Sequence, residues 1–159
     1  MGTTGENLAT AFEQANETLI STLSNMSDEQ WRRKCDGEGW PVAVTAHHIA
    51  SSREQVMQMI RLLATSPGRV EFTQEMLNHS NAEHAKLFPD PNRTETIELA
   101  KKSGTEVASE LRGMSEEAFA NGAEVSGFGR HMTAAGMVEG ALIGHTHGHL
   151  ESIRSAAGS

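Results

Sequence analysis

The chain has 159 residues, a mass of 17.1 kDa and a formal net charge of −8 at pH 7. The negative charge disfavours nucleic acid and anionic membranes as partners, and no apolar run approaches the ~20 residues that a membrane-spanning helix needs. Cys35 is the only cysteine, which excludes an internal disulfide and is typical of a cytoplasmic protein. Residues 1–159 are expected to form one domain of ordinary size and composition.

Hydrophobic residues recur at spacings of three and four along most of the chain, which predicts helices and no strand of appreciable length. Four long helices are expected, at about residues 4–25, 41–65, 94–114 and 133–156. The connection between the second and third helices is long and less regular, and a short helix is expected within it at about residues 73–87. These helices fit an antiparallel four-helix bundle, although so long a connection does not force an up-down topology. The expected fold class is therefore all-α.

The stretches that follow the first and third predicted helices resemble each other. Ser27 and Gln30 have the spacing of a capping box ahead of Trp31, and Ser115 begins a similar turn ahead of Phe119. Each of these helices is expected to end in a capped turn with an aromatic anchor. The repetition suggests two helix pairs related by pseudo-twofold symmetry.

The histidines are the unusual part of the composition, since the chain has eight of them and no tyrosine. A helical projection of the fourth predicted helix places His145 and His149 at the centre of its apolar face, one turn apart, and places His147 on the face toward water. A spacing of four residues lets two imidazoles reach one metal ion from one face of a helix. Two inward histidines are equally compatible with core residues that are satisfied by hydrogen bonds.

The second predicted helix carries His48 on the flank of its apolar face and His47 on its polar face. A third inward imidazole favours a shared cation, because burying unpaired imidazoles is costly. The motif is not that of a zincin, because no glutamate follows His145 directly.

The remaining histidines and the cysteine are expected to lie outside this site. His79 and His84 are five residues apart in the irregular connection, and His131 precedes the fourth helix. Cys35 lies in a glycine-rich loop beside acidic residues, which raise the pKa of a thiol and make it unreactive.

Glycines recur at every fourth position of the fourth predicted helix. Each costs about 1 kcal/mol relative to alanine in a helix interior, so a compensating reason is expected. Close approach of a neighbouring helix is the favoured explanation, and space for a ligand beside the metal is the alternative. The four positions are Gly136, Gly140, Gly144 and Gly148.

Two widely separated motifs resemble those of DinB/YfiT-like proteins. In WPVAVTAHHI (residues 40–49) a tryptophan leads a helix and a histidine follows eight residues later; in GHTHGHLESI (residues 144–153) two histidines four apart precede an aliphatic residue and then an isoleucine. The resemblance implies a four-helix bundle with a long crossover between helices 2 and 3, often as a homodimer. It also implies a divalent metal ion, zinc or nickel, held by His48, His145 and His149.

The same family includes relatives of mycothiol-dependent maleylpyruvate isomerase and thiol S-transferases that use bacillithiol or mycothiol. Because three histidines leave coordination positions open, we expect a metal-dependent enzyme of thiol S-transferase or hydrolase type that acts on a small molecule, with a low-molecular-weight thiol as a candidate cosubstrate. Ser52 and Gln55 lie on the flank of His48 and are candidates to hydrogen-bond a ligand, whereas no inward acid on these helices stands out as a general base. The alternative is a non-catalytic, metal-stabilised bundle that binds a partner or a stress metabolite.

Overall fold

The structure, a computed structural model, describes residues 2–158 and is mostly helical there, as predicted. Its elements in chain order are α1 (Thr4–Ser24), α2 (Asp28–Arg32), α3 (Val42–Ser51), α4 (Arg53–Ala64), β1 (Gly68–Val70), α5 (Gln74–Leu87), α6 (Arg93–Gly113), α7 (Glu116–Ala120), β2 (Gly122–Val125), a 3₁₀ turn (Ser126–Phe128), β3 (Arg130–Thr133), α8 (Ala134–Met137), a π-helical segment (Val138–Gly144) and α9 (His145–Ala157). None of the helices among these residues is long and apolar enough to cross a membrane.

The bundle has four rods, formed by α1, by α3 with α4, by α6, and by α8 through α9. Both α1 and α3 pack against α6 and against α9, so the first two rods lie at diagonal corners although they follow each other in the chain. The second and third rods run parallel. This direction is shown by two contacts: Arg53 contacts Ala100 and, further along both helices, Arg61 contacts Glu110. Parallel neighbours require a connection that runs the length of the bundle, and residues 65–92 supply it. The long crossover is therefore confirmed.

The capped turns expected after the first and third rods are present. The Ser27 hydroxyl accepts from Gln30 N at 3.1 Å while Ser27 N donates to Gln30 Oε1 at 2.9 Å, and the Ser115 hydroxyl accepts from Ala118 N at 3.1 Å. The aromatic residue of each turn, Trp31 or Phe119, is buried. The pseudo-twofold relation of the two helix pairs stays a prediction.

A polar layer crosses the middle of the bundle between two apolar clusters. One cluster includes Phe12 and Leu111, and the other includes Leu19 and Ile153. The layer is formed by Asn16, Arg53 and the Ala100 carbonyl together with His145, which follows one cluster and precedes the other along the fourth rod.

Arg53 is the most buried charged side chain of this layer, with 2% of its surface exposed. Its guanidinium donates to Asn16 Oδ1 at 2.7 Å, to Ala100 O at 3.0 Å and to Ser103 Oγ at 3.0 Å, and it lies 4.9 Å from the centre of the Phe12 ring. Burial lowers the pKa of Arg53 to about 10, which leaves the side chain charged at neutral pH.

Two of the predicted rods are less regular than their periodicity indicates. The second is interrupted at Ser52, which separates α3 from α4. The fourth contains the π-helical segment Val138–Gly144 directly before His145. π-Helical turns are rare in proteins and are frequent at functional sites.

Close helix packing does not explain the glycines of the fourth rod. A Cβ atom added at Gly140 or Gly148 would meet nothing within 4 Å, and one added at Gly144 would meet only the Glu139 carbonyl at 3.1 Å, within the same rod. Gly140, Gly144 and Gly148 do not line the cavity described below either, so within the described chain neither explanation offered from the sequence accounts for them. The structure gives no other reason for their presence.

A small three-stranded sheet, which the periodicity did not predict, caps one end of the bundle. Strand β1 pairs parallel with β2 (Gly68 opposite Ala123), and β2 pairs antiparallel with β3 (Gly122 opposite Thr133). Strands of three or four residues are too short to show an alternating pattern. The sheet joins the start of the crossover to the start of the fourth rod and thereby closes one wall of the cavity.

Candidate metal centre

Three inward histidines come together from two rods at the level of the polar layer. Helix α3 supplies His48, which is buried with 7% of its surface exposed, and α9 supplies the half-buried His145 and His149 one turn apart. The second and fourth rods are adjacent and antiparallel, so the middle of α3 faces the start of α9.

The Nε2 atoms of these rings converge. Nε2 of His145 lies 3.2 Å from Nε2 of His48 and 3.0 Å from Nε2 of His149, and ligand atoms of all three residues lie within 4.8 Å of one another. Two nitrogens bound to one tetrahedral ion at about 2.0–2.1 Å lie about 3.3 Å apart. Imidazole also suits zinc, nickel, copper and iron. The residues present therefore fit a divalent ion.

Hydrogen bonds alone satisfy this arrangement poorly. A neutral imidazole nitrogen either donates one proton or offers one lone pair. Nε2 of His145 faces two other Nε2 atoms and can make a good hydrogen bond with only one of them. The geometry thus favours a shared cation over three core histidines that are each satisfied by a hydrogen bond.

The surroundings keep the three rings neutral. Burial, with smaller effects from the neighbouring imidazoles, lowers the pKa of His48 to about 3. Burial, followed by the charges of His149 and Arg53, lowers the pKa of His145 to about 4. Burial also lowers the pKa of His149, although nearby Glu38 opposes this change. A neutral imidazole is the form that binds a metal ion.

A carboxylate lies behind His149. Oε1 of Glu38 accepts a hydrogen bond from Ser152 Oγ at 2.9 Å and lies 3.8 Å from Nδ1 of His149, while Oε2 is buried without a hydrogen-bond partner among the described residues. Metal-ligating histidines commonly direct their second nitrogen at a carboxylate. Helical projections missed Glu38 because it lies in the loop before α3, where helical periodicity does not apply.

His47 and His84 occupy positions different from those predicted. His47 was expected on a polar face, but α5 covers that face, so the ring is half-buried and stacks on His84 with centroids 5.1 Å apart. His47 Nδ1 lies 2.8 Å from His84 Nε2, and the His84 ring lies 5.3 Å from the ring of His48. Burial lowers the pKa of His84 to about 4. His84 therefore adjoins the cluster, which was not predictable without the path of the crossover.

The other candidates lie where the sequence placed them. His79, His131 and His147 are exposed and outside the cluster. Cys35 is buried, accepts a hydrogen bond from Thr45 Oγ1 at 3.6 Å, and has a pKa raised chiefly by burial, as expected of an unreactive thiol.

A cavity of about 450 Å³ adjoins the cluster. His48 and His145 form part of its wall, as do Ser52 and Gln55, the two polar residues expected near His48. The rest of its wall comes from α4, α5, the sheet region and the π-helical segment. His149 is not part of this wall, so the cavity reaches the cluster from the side of the other two imidazoles.

The fold and the site together place the chain in the class of helical-bundle proteins that have a long crossover and a candidate metal centre of three histidines beside a cavity. The chain belongs to the DinB superfamily, whose family profile matches residues 11–153. A search of curated proteins finds no match.

Solved structures share the fold. YfiT from Bacillus subtilis, described as a probable metal-dependent hydrolase with an unusual four-helix bundle topology, superimposes with a TM-score of 0.75 at 18% identity, over 96% of this chain and 85% of that one. A mycothiol-dependent maleylpyruvate isomerase superimposes with a TM-score of 0.68 at 16% identity, over 100% of this chain and 64% of the isomerase. The chain thus spans somewhat less than two thirds of the isomerase. At these identities the likeness establishes the fold.

Proposed function

We propose that this protein is a divalent-metal-dependent enzyme that acts on a small molecule, of thiol S-transferase or hydrolase type. His48, His145 and His149 are the proposed ligands of the metal, and zinc or nickel is the proposed ion. A low-molecular-weight thiol is the proposed cosubstrate for the transferase reaction. Residues 1–159 are taken as one domain, and a cytoplasmic homodimer is part of the proposal.

The observation that carries the proposal is the convergence of three neutral Nε2 atoms beside a cavity. Nε2 of His145 lies 3.0 Å and 3.2 Å from the other two. A structural zinc site commonly has four protein ligands, whereas three ligands leave a position for water or substrate. The neighbouring DinB-fold structure that is described as a probable metal-dependent hydrolase supports the same interpretation.

When bound, the ion supplies Lewis-acid chemistry, lowering the pKa of a coordinated water or thiol. The chain's own residues orient the metal-binding histidines and hold the substrate beside them. Glu38 faces Nδ1 of His149 and favours the tautomer whose Nε2 lone pair points into the cluster. Ser52 and Gln55 offer uncharged hydrogen-bonding groups beside His48. The apolar wall of the cavity excludes water from the bound substrate.

The alternative is a metal-stabilised bundle that binds a partner or a stress metabolite without turnover. One observation favours it: among the described residues that line the cavity, Glu71 is the only acid, and it is exposed and 3.9 Å from Arg69. The cavity therefore lacks an evident general base. Both functions require the metal, and they differ in turnover.

Elemental analysis of the purified protein tests the metal. We expect about one divalent ion per chain, its loss in His145→Ala, and its retention in the matched variant His147→Ala, whose ring is exposed on the same helix. Metal-free wild type, or equal metal content in both variants, would contradict the proposal.

Turnover separates the two functions. The metal-loaded protein is assayed with panels of ester and amide substrates, and with electrophiles in the presence of low-molecular-weight thiols such as bacillithiol or mycothiol. Activity that disappears in His145→Ala and persists in His147→Ala supports the enzyme. A metal-loaded protein that is inactive across these panels supports the non-catalytic alternative.

A further inference from the structure

We infer that the substrate has an uncharged, largely apolar body, and that the cavity beside the histidine cluster selects against anionic groups on that body. This inference rests on the proposed function, since it takes the cavity to be the substrate site of the metal centre. It concerns the part of the molecule that lies away from the reacting atom.

The wall of the cavity is mainly apolar. Flexible and aromatic side chains predominate, and they come from several separate elements: α4, the loop after β1, α5, the 3₁₀ turn and the fourth rod. Representative wall residues are Val56, Met59, Phe72, Leu77, Phe128 and Met137. Methionine and aromatic side chains adapt to ligands of differing shape. A cavity of about 450 Å³ is within the usual range for small-molecule sites.

The protein side chains of the wall offer no counter-charge for an anion. No Lys or Arg occurs among the described residues that line the cavity, and Glu71 is the one charged side chain there, since the imidazoles of the wall are neutral. The nearby guanidinium of Arg69 is exposed and lies 3.9 Å from Glu71. Arg53 acts on His145 through its charge, but its guanidinium donates to Asn16, Ala100 and Ser103 and is not part of the wall.

Apart from Glu71, the polar groups of the wall are uncharged. Ser52 and Gln55 lie along the same rod as His48, and Asn81 faces them from α5. Such groups orient a neutral substrate through hydrogen bonds but do not offset the desolvation of a carboxylate or sulfonate. The net charge of −8 further disfavours anions. Together these features favour a neutral body for the substrate, away from its reacting atom.

Two fluorescent probes with one skeleton test the inference. N-phenyl-1-naphthylamine is neutral and apolar, and 1-anilinonaphthalene-8-sulfonate adds a single sulfonate to it. Both are titrated into the metal-loaded protein. A bound cation would itself favour the sulfonate, so a preference for the neutral probe is the stricter result. We expect the neutral probe to bind one site per chain at least about tenfold more tightly than the sulfonate.

Variants assign the binding to this cavity. Ala141→Trp fills the wall and should weaken the neutral probe at least about tenfold, whereas the matched variant Ala82→Trp, on an exposed part of α5 outside the wall, should not. Gln55→Lys places a cation at an exposed wall position, so it tests charge without altering the core. Gln55→Lys should reduce or reverse the difference in affinity between the neutral probe and the sulfonate.

Three results would overturn the inference: a sulfonate that binds as tightly as the neutral probe, a neutral probe that does not bind, or a preference that Gln55→Lys leaves unchanged. Metal content is measured on the same samples. A metal-loaded protein without the neutral preference contradicts the inference and leaves the proposed function intact. A metal-free protein that keeps the preference and its response to Gln55→Lys supports the selectivity of the cavity while contradicting the metal-dependent function.

Discussion

The carboxylate of Glu38 lies 3.8 Å from Nδ1 of His149, on the side of the ring away from the other two histidines. It is held there by the Ser152 hydroxyl, which donates to the same oxygen at 2.9 Å. The loop before α3 and the middle of α9 thus meet behind the candidate metal centre. A carboxylate in this position fixes the ring and increases the basicity of the nitrogen that faces the cluster.

Replacing Glu38 should therefore weaken metal binding without removing a ligand. We expect Glu38→Gln to lower the affinity for zinc about 10–100-fold, measured at pH 7 by competition with a chromogenic chelator. Glu151→Gln is the matched control, since it makes the same charge change at an exposed position on α9. Equal losses in the two variants would show that overall charge, and not the contact with His149, is responsible.

The sequence alone predicts those residues of the candidate site that lie on regular helices. His48, His145 and His149 were identifiable because periodicity fixes which face of a helix each residue occupies. Glu38 and His84 were not, because one lies in a loop and the other on the crossover. Their positions depend on where those segments pack, which no local pattern encodes.

The same limit applies to the fold. Four rods and their capped turns follow from spacing and capping residues, since these signals are local. The three short strands and the π-helical segment were missed, because three- or four-residue strands and a shift in helical hydrogen bonding leave no clear period. The diagonal placement of the first two rods is likewise a property of tertiary packing.

Removing the metal should lower thermal stability markedly. His48 and His145 come from two rods, so an ion bound by both stabilises only the folded chain. At a free ion concentration 1,000-fold above the dissociation constant the gain is about 4 kcal/mol, which corresponds to a fall in Tm of about 10 °C when a chelator removes it. The measurement is a thermal melt with and without EDTA. His145→Ala should melt at the same temperature in both conditions, and a wild-type Tm that is indifferent to EDTA would argue against a bound ion.

The metal-free protein should lose stability as pH falls from 7 to 5. The pKa of His48 is about 3 in the folded chain against an ordinary value of 6.5. A group with a lowered folded pKa stabilises the fold above its unfolded pKa, and this contribution is lost below about 6.5 as the unfolded chain takes up the proton first. For His48 the loss is about 2 kcal/mol between pH 7 and 5.

Urea unfolding of EDTA-treated protein at several pH values measures this dependence. His48→Gln should reduce the pH dependence by about the contribution of His48, because that variant removes one buried imidazole whose pKa is lowered to about 3. His145 and His84, each with a pKa of about 4, keep the rest. His147→Gln, at an exposed position, should leave it as in the wild type. A stability that does not change over this range would mean that the buried rings are not held neutral.

The open space beside Gly148 predicts a stabilising substitution. A Cβ atom there would meet nothing within 4 Å, so Gly148→Ala should raise the free energy of unfolding by about 0.5–1 kcal/mol through helix propensity alone. Metal content should not change, although His149 is the next residue. At Gly5, by contrast, a Cβ would lie 2.3 Å from the Leu111 carbonyl, so Gly5→Ala should destabilise. Urea unfolding compares the two, and a destabilising Gly148→Ala would reveal a packing role for that glycine.

Arg53 should contribute far more to stability than an exposed arginine on the same helix. Its guanidinium is buried and donates to Asn16, Ala100 and Ser103. We expect Arg53→Met to lower the free energy of unfolding by about 2–4 kcal/mol, because it removes three charged hydrogen bonds and leaves the buried Asn16 Oδ1 without a donor, although Ala100 O still accepts from Asn16 Nδ2. Arg61→Met, whose half-exposed side chain pairs with Glu54 and Glu110, should cost less than about 1 kcal/mol.

A double variant separates lost hydrogen bonds from lost packing. If unpaired acceptors dominate, Asn16→Leu combined with Arg53→Met should cost less than the sum of the two single changes, since removing both partners leaves fewer unsatisfied groups. Strict additivity would instead assign the effect to packing. Because Arg53 also lowers the pKa of His145 through its charge, Arg53→Met should in addition raise that pKa, which NMR titration of the metal-free protein measures directly. A shift that appears in Arg53→Met and not in Arg61→Met would establish that the buried charge helps to keep His145 neutral and available to a metal ion.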